Sequence, residues 1–383
     1  MKIVDVVPYA YLPFFSGGQK SIAQFLNFFG EETDLSVISV ENDFSLAKSY
    51  KGLPVLKNGS QRYYDFKLVK KLVSLIKKEN FDAIIWEHPY YAWLAWIVKK
   101  RTGIKTVFHT HNIEWIRFRS TGKWWWPVLR MYERWAFRFA DLVFFINEEE
   151  KEWAIKEWKL DENKCTEITF GIESKENPPD RDQCRKSVAE KHGIKSHEKI
   201  LLFNGLLDYK PNLDALIAIL EKVNPILASK NFSYKIVICG KRLPADFNEL
   251  KDYKEKNIIY AGFVDDIDMY FKAADVFLNP VQSGGGIKTK MVEAIGLGTT
   301  VVATQSGATG IHKEVCGDKL VVVQDNNWQA FADAVLDCSN KTGPTPASYY
   351  EVYYWGNIAK KAMKKLSEQS SAECKNDAFE NIS

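Results

Sequence analysis

The sequence predicts an α/β protein built from two doubly wound domains that face a cleft, and three observations support this. Short apolar runs rich in Val and Ile alternate with amphipathic helical segments along both halves of the chain, which is typical of parallel sheets with right-handed crossovers. The chain has 383 residues, more than one ordinary core needs. A polar, proline-containing stretch over residues 171–181 interrupts the alternation, as linkers between domains do.

Composition favours a cytoplasmic protein. Hydrophobic residues make up 46% of the chain and charged residues 26%, as in soluble globular proteins. The six cysteines include no CxxC pair, so we expect reduced thiols and no disulfide framework. Met1 leads directly into an apolar strand, and we expect neither a signal segment nor a membrane-spanning helix.

The first half contains five predicted strands, five predicted helices and one long loop. The loop after the first strand, residues 8–18, ends in Ser16-Gly17-Gly18, and loops of this length inside compact domains are usually functional. Strands are expected at 3–7, 35–40, 83–86, 106–108 and 142–146, and helices at 19–29, 63–78, 90–100, 132–139 and 148–158.

The second half repeats the alternation with six predicted strands. These are expected at 200–203, 235–239, 258–260, 276–278, 300–304 and 320–323, with helices at 213–227, 328–336 and 349–366 and one that ends at Gly296. The polar tail, residues 367–383, is predicted to be disordered.

The stretch that begins at Asn279 carries the clearest functional signal. A predicted strand ends there, and Ser283-Gly284-Gly285-Gly286 then opens a helix with Lys288, Lys290 and Glu293. Glycines let a ligand approach the backbone, and a helix start offers unpaired N–H groups with a partial positive charge. Lys290 and Glu293 are three residues apart and share a helix face. The pattern indicates a nucleotide, with its diphosphate at the lysines and its ribose at the carboxylate, although a glycine turn can also be a plain tight connection.

The first half also carries a basic, aromatic surface. Residues 51–140 hold 18 Lys and Arg against 6 Asp and Glu, and ten of the twelve tryptophans fall between Trp86 and Trp158. The segment 123–139 is open to three interpretations. In the first, its apolar residues pack a helix into the core of the first domain. In the second, it forms with Arg117 and Arg119 a basic, aromatic rim that contacts membrane headgroups. In the third, its tryptophans stack on sugars.

Runs in both halves carry a family resemblance. In the second half these are Gly284 to Ala294, Gly298 to Gly310, Asn204 to Asn212 and Tyr260 to Val264; in the first half they are Ser16-Gly17-Gly18, His109 to Glu114 and Tyr132 to Asp141. They resemble the retaining, nucleotide-sugar-dependent glycosyltransferases of family four, whose two Rossmann-like domains form the GT-B architecture. The resemblance covers most of residues 1–366, and it is more specific in the second half.

The resemblance implies a role for each matching residue. It implies catalytic roles for His111, Lys210 and Lys290. His111 would lie near the transferred sugar, and Lys290 or the donor-binding Lys288, with Lys210, would neutralise the diphosphate as it leaves. Glu293 would bind the ribose. The other donor-binding residues that it implies are Gly17 and Gly18 over the phosphates, Phe263 and Val264 at the base, and Gly205, Gly285 and Gly286 in the loops. Two departures from the family pattern are Gly285, where most members have a glutamate, and Leu206, where many have an arginine.

The resemblance also implies a domain plan. Residues 1–172 form the acceptor-binding domain, 173–181 the linker, 182–345 the donor-binding domain, and 346–366 a C-terminal helix that packs back on the first domain. The expected donor is a UDP- or GDP-linked sugar, and the expected acceptor is a glycan or a lipid-linked molecule at the inner face of the membrane. No cofactor and no nucleic acid is expected.

The residues leave other interpretations open. No metal is expected, although His109 and His111 lie two apart on a strand end and would present a ligand pair to zinc if a third ligand existed. Asp208 and Glu114 are candidate acids. A sugar-nucleotide epimerase or hydrolase on the same architecture, or a non-catalytic binder of sugar or nucleic acid, are the alternatives to a transferase. A dinucleotide dehydrogenase is disfavoured because no GxGxxG follows the first strand.

Overall fold

The computed structural model describes residues 1–341 and 343–380, and it describes side chains as far as residue 368. The chain divides into two compact units. Unit 1 comprises Met1–Gly171 and the segment that begins at Trp355, and unit 2 comprises Ile172–Tyr354. The C-terminal helix therefore groups with the first unit, in which the Trp355 ring lies 6.5 Å from that of Phe25 and 5.4 Å from that of Phe170.

Unit 1 is a seven-stranded parallel sheet covered by helices. The strands are β1 (Lys2–Val6), β2 (Asp34–Ser39), β3 (Lys51–Pro54), β4 (Ala83–Glu87), β5 (Lys105–His109), β6 (Leu142–Phe145) and β7 (Cys165–Glu167), in the order β3-β2-β1-β4-β5-β6-β7. The helices are α1 (Gly17–Glu32), α2 (Lys67–Glu79), α3 (Ala92–Thr102), α4 (Glu114–Ser120), α5 (Trp126–Phe139) and α6 (Glu148–Trp158).

Unit 2 repeats the architecture with six parallel strands. They are β8 (Lys199–Leu206), β9 (Tyr234–Lys241), β10 (Ile258–Gly262), β11 (Val276–Asn279), β12 (Thr300–Thr304) and β13 (Leu320–Val323), in the order β10-β9-β8-β11-β12-β13. The helices are α7 (Arg181–His192), α8 (Lys210–Ala218), α9 (Asn224–Ala228), α10 (Ile267–Ala273), α11 (Thr289–Gly296), α12 (Lys313–Cys316), α13 (Trp328–Cys338) and α14 (Ala347–Tyr353), and α15 (Trp355–Glu380) follows in unit 1.

Local sequence explains these elements. The central strands are buried on both faces and are therefore nearly continuous apolar runs, such as Leu142–Phe145 in β6 and Val276–Asn279 in β11. In α2, Leu68, Leu72 and Ile76 recur every four residues and are buried, which is the spacing that places side chains on one helix face.

The predicted α/β class with two Rossmann-like domains is confirmed, and several details of the prediction are wrong. The sequence reasoning missed β3, because its Lys-Gly-Leu-Pro sequence resembles a loop; it forms at the sheet edge, where Pro is tolerated. It also missed β7, which has only three residues. The single helix expected at 349–366 is two helices, α14 and α15, that meet at Tyr354.

The tail also differs from the prediction where it is described. The backbone of α15 is helical to Glu380, so residues 367–380 are not irregular; they continue a helix whose sequence is rich in Ala, Glu and Lys, which favour helix. Residues 381–383 lie outside the described residues. Within the described part of the chain, no helix is long and apolar enough to cross a membrane. The five cysteines with described side chains are buried free thiols.

Candidate functional site

In unit 2, the residues that the sequence singled out gather at one edge of the sheet. All six strands are parallel, so their carboxyl ends share that edge, which is where open α/β sheets bind ligands. Gly205 lies near the end of β8, Phe263 follows β10, and the glycine loop 283–288 follows β11.

The glycine loop requires glycine at two positions. Gly284 has φ +90° and Gly286 has φ +68°, in the left-handed region that other residues adopt at a cost. The Lys288 ammonium folds back over this loop and donates to the carbonyl oxygens of Gly284, Gly285 and Gly286 at 3.1, 3.3 and 3.0 Å. Lys288 precedes the first residue of α11, so the helix begins a few residues later than the sequence suggested.

Lys290, in the first turn of α11, reaches across to the end of β8 and the first turn of α8. Its Nζ donates to the Asn204 carbonyl oxygen and to Asn212 Oδ1, both at 2.9 Å, and it lies 5.0 Å from the centre of the Phe203 ring. Burial, with a smaller contribution from the nearby Lys288 charge, lowers the pKa of Lys290 to about 7. This ammonium has neutral partners, and an added anion would supply the missing countercharge.

Lys210 does not join Lys290. It is exposed at the start of α8 and forms an ion pair of 2.9 Å with Asp214, four residues further along the same helix. The Asn212 side chain occupies the position next to Lys290 instead, and it also donates to the Leu206 carbonyl oxygen at 3.0 Å. The sequence analysis assigned no role to Asn204 or Asn212; the available signal was their place in the matching run Asn204 to Asn212, at the end of β8 and the start of α8.

Glu293 lies one turn beyond Lys290 on the same face of α11. It is half-buried. The residue directly before it is held by a tyrosine, because the hydroxyl of the buried Tyr349 donates to the Val292 carbonyl oxygen at 2.7 Å. α14 therefore braces the helix that carries Lys290 and Glu293.

Phe263 offers an exposed flat surface beside the same edge. Its side chain is 58% exposed, and it follows Gly262, whose φ is +65°. The Lys241 ammonium lies 3.5 Å from the centre of the Phe263 ring. Val264, the other residue expected at a base, is half-buried next to it.

The loop after β12, which contains Ser306 and Gly307, is held in place by polar contacts. Asp325 accepts hydrogen bonds from the Ser306 backbone N–H at 3.0 Å and from its hydroxyl at 2.5 Å. Asn279 Nδ2 donates to the Gly307 carbonyl oxygen at 3.0 Å. These bonds fix the loop after β12 against the end of β11.

In unit 1, the predicted glycines begin a helix. Gly17 and Gly18 are the first residues of α1, and the Ser16 hydroxyl caps the helix by accepting from the Gln19 N–H at 3.4 Å. Both glycines are exposed, and a Cβ at Gly18 would meet nothing within 4 Å. The start of α1 thus presents two exposed glycines.

His111 belongs to a buried polar cluster that the sequence did not reveal. The Glu87 carboxylate, at the end of β4, accepts from His109 Nδ1 at 2.9 Å and from His111 Nε2 through a shorter bond. Burial raises the pKa of Glu87, but its interactions with both imidazoles outweigh that effect and lower the pKa. Burial lowers the pKa of His111 to about 4, although Glu87 opposes this. His111 is therefore neutral at pH 7, with its Nε2 proton directed at Glu87.

Asp5, on the neighbouring strand β1, is the fourth member of this cluster and interacts with Glu87. Its side chain is fully buried, and neither carboxyl oxygen accepts a hydrogen bond from a described residue. Burial and the nearby charge of Glu87 raise the pKa of Asp5 well above its ordinary value. The environment thus favours the neutral form of Asp5 and the ionised form of Glu87.

A second polar chain adjoins the first. The His88 ring, whose centre is 4.8 Å from that of His111, lies between the Tyr9 hydroxyl at 2.7 Å and Glu114 at 3.1 Å. Glu114 also accepts from Arg117 Nε at 2.8 Å. Burial raises the pKa of Glu114, but His88 and Arg117 outweigh it and lower the pKa to about 2.

The cluster contains a set of side chains that could hold a metal ion. The ligand atoms of Glu87, His109 and His111 lie within 4.8 Å of one another, so the third ligand that the His109–His111 pair lacked in sequence is Glu87. Both N···O pairs are at hydrogen-bond distance, shorter than the roughly 3.2 Å separation that ligands keep around zinc. The geometry is that of a carboxylate that accepts hydrogen bonds from two imidazoles.

Two family models match the chain, one in each half. The model described as Glycosyltransferase Family 4 matches residues 16–176. The model described as Glycosyl transferases group 1 matches residues 198–341. The two matches thus cover most of both units.

Curated relatives match parts of the chain. An uncharacterized 44.6 kDa protein in the cps region of Klebsiella pneumoniae is 30% identical over 135 residues, 34% of each chain. The UDP-Gal:alpha-D-GlcNAc-diphosphoundecaprenol alpha-1,3-galactosyltransferase of Escherichia coli is 24% identical over 290 residues, 70% of this chain and 71% of that protein. The chain spans less than half the length of two curated relatives, 34% of one and 45% of another.

Solved structures share the fold. Anabaena HepE in complex with UDP aligns with a TM-score of 0.71 at 16% identity, over 96% of this chain and 100% of that one. A UDP-N-acetylglucosamine 2-epimerase from Rickettsia bellii aligns with a TM-score of 0.57 at 13% identity, over 96% of each chain. At these identities the likeness establishes the architecture alone.

Proposed function

Because this chain belongs to the family-four-like glycosyltransferases of the GT-B architecture, we propose that it transfers a sugar from a nucleoside-diphosphate donor to a glycan or lipid-linked acceptor. We further propose that the configuration at the anomeric carbon is retained and that no metal takes part. The observation that carries the proposal is Lys290, a cation with neutral partners and a pKa of about 7 beside the glycine loop of unit 2.

Lys290 would stabilise the leaving group. When the bond between the anomeric carbon and the diphosphate oxygen breaks, its electrons pass to that oxygen, and negative charge grows there. A cation held in place beforehand stabilises this charge without reorganisation. The glycine loop lets the diphosphate come close to backbone N–H groups, and Lys288, already folded over the loop, adds a second positive charge. Lys210 and Gly205 lie at the neighbouring loop, where a phosphate could draw Lys210 away from Asp214.

The nucleoside would be held by Glu293 and the Phe263 region. A carboxylate accepts from both hydroxyls of a ribose, and Glu293 lies one helical turn from Lys290, close to the separation of ribose from diphosphate. The exposed Phe263 ring, with Val264, provides a flat apolar surface for a base. A UDP- or GDP-linked sugar is therefore the donor that we propose.

In unit 1, His111 would serve the transferred sugar and the acceptor. Because Nε2 is bonded to Glu87, Nδ1 is the ring nitrogen that remains to accept from a sugar hydroxyl. We propose that the acceptor hydroxyl attacks from the same face as the departing diphosphate, and that its proton passes to a phosphate oxygen. This route gives retention without a protein nucleophile, and Gly17 and Gly18 would let phosphate approach the start of α1.

No metal is needed in this scheme, because lysines and backbone donors supply the positive charge. We also propose that the enzyme works in the cytoplasm, at the inner face of the membrane. The basis is the excess of 18 Lys and Arg over 6 Asp and Glu in residues 51–140, since anionic headgroups attract such surfaces.

A sugar-nucleotide epimerase or hydrolase is the second candidate, because a protein named as a 2-epimerase has the same architecture. Analysis of products separates the two. Conversion of the donor alone, at the same rate with and without acceptor, would favour the second candidate and refute transfer.

The first experiment is a thermal-shift panel of UDP, GDP, ADP and their sugar conjugates. A ligand at 100 times its Kd stabilises by about 2.7 kcal/mol, so we expect a rise with one nucleotide. The Glu293→Gln variant should lose this rise. Glu255→Gln is the matched control, because Glu255 is exposed just before the amino end of β10, at the opposite edge of the sheet. A rise that survives in Glu293→Gln would contradict the assignment of Glu293.

A further inference from the structure

Unit 1 has an apolar groove that the proposed chemistry does not use. The groove encloses about 500 Å³ and is lined by aromatic rings, among them Tyr64, Phe66, Trp93, Trp96 and Trp135. The rings pack against one another, with Phe66 and Trp93 centred 5.0 Å apart and Trp96 and Trp135 centred 6.3 Å apart. Aromatic side chains in these numbers are normally buried in a core.

The walls of the groove offer rings and few polar atoms. Trp93 Nε1 donates inward to the Tyr63 carbonyl oxygen at 2.8 Å. Phe66 is 72% exposed and Tyr64 is 61% exposed. A sugar would need hydrogen-bond partners that these walls do not present, whereas an apolar chain would not.

Rings in contact with one another lead from the groove to the polar cluster at His111. Ring centres follow one another from His111 to His88 at 4.8 Å, from His88 to Tyr90 at 5.0 Å, and from Tyr90 to Tyr63 at 6.0 Å. Tyr63 then lines the groove. Along this series, the side chains of His88 and Tyr90 lie between His111 and the groove.

Two guanidinium groups contact these rings. Arg117 donates to the Tyr90 hydroxyl at 3.1 Å, and its charge is paired with the buried Glu114 carboxylate. Arg62 donates to the Tyr63 hydroxyl at 3.2 Å and lies over the Tyr63 ring at 4.6 Å. The other Arg62 donors go to the backbone oxygens of Pro8 and Gly59, so its charge has only neutral partners among these contacts. Arginine in this setting is suited to phosphate.

We propose that this groove binds the apolar tail of a lipid-linked acceptor, with the phosphate of that acceptor at Arg62, beside the Tyr63 ring that lines the groove. The proposal rests on the proposed transferase function, because it names the acceptor of that same reaction. Lys67, Lys70 and Lys71 are exposed in the first two turns of α2, which begins directly after Phe66. They add positive charge near the rim of the groove, as an anionic lipid would require.

Binding of farnesyl diphosphate tests the proposal without any need for turnover. Calorimetry is run with the full chain in saturating UDP, so that the proposed diphosphate site in unit 2 is occupied. Farnesyl diphosphate should bind at least about tenfold more tightly than inorganic pyrophosphate, because only the former has an apolar chain to bury. The Trp96→Ser variant should lose about tenfold of the farnesyl diphosphate affinity, the value of one well-packed ring, and should bind pyrophosphate and UDP as the wild type does.

The matched control is Trp124→Ser, which removes a tryptophan that is 86% exposed and outside the groove lining; it should leave all affinities unchanged. Equal affinity for farnesyl diphosphate in the wild type and in Trp96→Ser would overturn the proposal. Binding to anionic vesicles that both tryptophan variants weaken equally would also overturn it, because that result would indicate a membrane-binding surface. A wild-type dimer that dissociates in Trp96→Ser would overturn it as well. Failure of UDP to bind would instead refute the proposed donor site, and unchanged UDP binding separates the two failures.

Discussion

The protonation of Lys290 should control the affinity for the nucleotide. The pKa of this ammonium is about 7 in the free protein because the group is buried, so about half of the molecules carry the charge at pH 7. A diphosphate placed beside it favours the charged form and raises the pKa of Lys290 in the complex. Only the protonated protein is then fully competent to bind.

The magnitude follows from the fraction that is protonated. With a pKa of about 7, that fraction falls from about one half at pH 7 to about one hundredth at pH 9. The apparent Kd for UDP should therefore rise about 50-fold across this range, since apparent affinity scales with the competent fraction. UDP itself is fully ionised over most of this interval, because a terminal phosphate has its second pKa near about 6.

Calorimetric titration of UDP at pH 7, 8 and 9 measures this change. In two buffers of different ionisation enthalpy, it should also show the uptake of about one proton at pH 8 to 9. Lys290→Arg is the control: its guanidinium stays charged, so its UDP affinity should be nearly independent of pH. A flat pH profile for the wild type, or the same steep profile in Lys290→Arg, would refute the reasoning.

Three further outcomes test other parts of the structure. In Gly307→Ala, the new Cβ would lie 2.9 Å from the Asn279 carbonyl oxygen; urea denaturation should show a loss of about 1–3 kcal/mol, and an unchanged midpoint would contradict the packing. Asp5→Asn should raise the free energy of unfolding at pH 8, by about 1.4 kcal/mol for each unit by which folding raises the Asp5 pKa, because such a carboxyl destabilises the fold increasingly as pH rises above its unfolded pKa. A gain that persists undiminished at pH 3 would argue against this cause. Treatment with EDTA should leave transfer unchanged, and a loss that zinc restores would show that Glu87 and its two histidines bind metal.

The alternation of strands and helices could be predicted because local sequence determines it. The bounds predicted for the helix at 148–158 agree with α6, where Asn147 accepts from the Glu150 N–H and three glutamates occupy the first turn. The bounds predicted for residues 300–304 agree with β12, a fully buried run. Edge strands such as β3 carry no such signal, since half of their surroundings are solvent and loop-like residues are tolerated.

The candidate sites could be predicted only where their residues are close in sequence. The pairing of Lys290 with Glu293 follows from helical periodicity, and both remain predictions as ligands. Asn212 meets Lys290 from 78 residues away, and no local pattern indicates that contact. Glu87 is likewise opposite His109 in the register of β4 and β5, and that pairing depends on strand order.

The buried acids of unit 1 link the stability of the fold to the proposed chemistry. A fully buried Asp5 with a raised pKa is costly, and an apolar residue at its place in β1 would extend the core. The raised pKa favours the neutral form of Asp5, however, and a neutral Asp5 leaves Glu87 as the sole anion between two imidazoles, able to accept from both. If Asp5 were ionised, the two carboxylates would repel each other, and Glu87 would hold His111 less firmly in one tautomer. Such violations of ordinary burial rules tend to concentrate at functional sites, and here the violation lies where β1, β4 and β5 bring Asp5, Glu87 and His109 together.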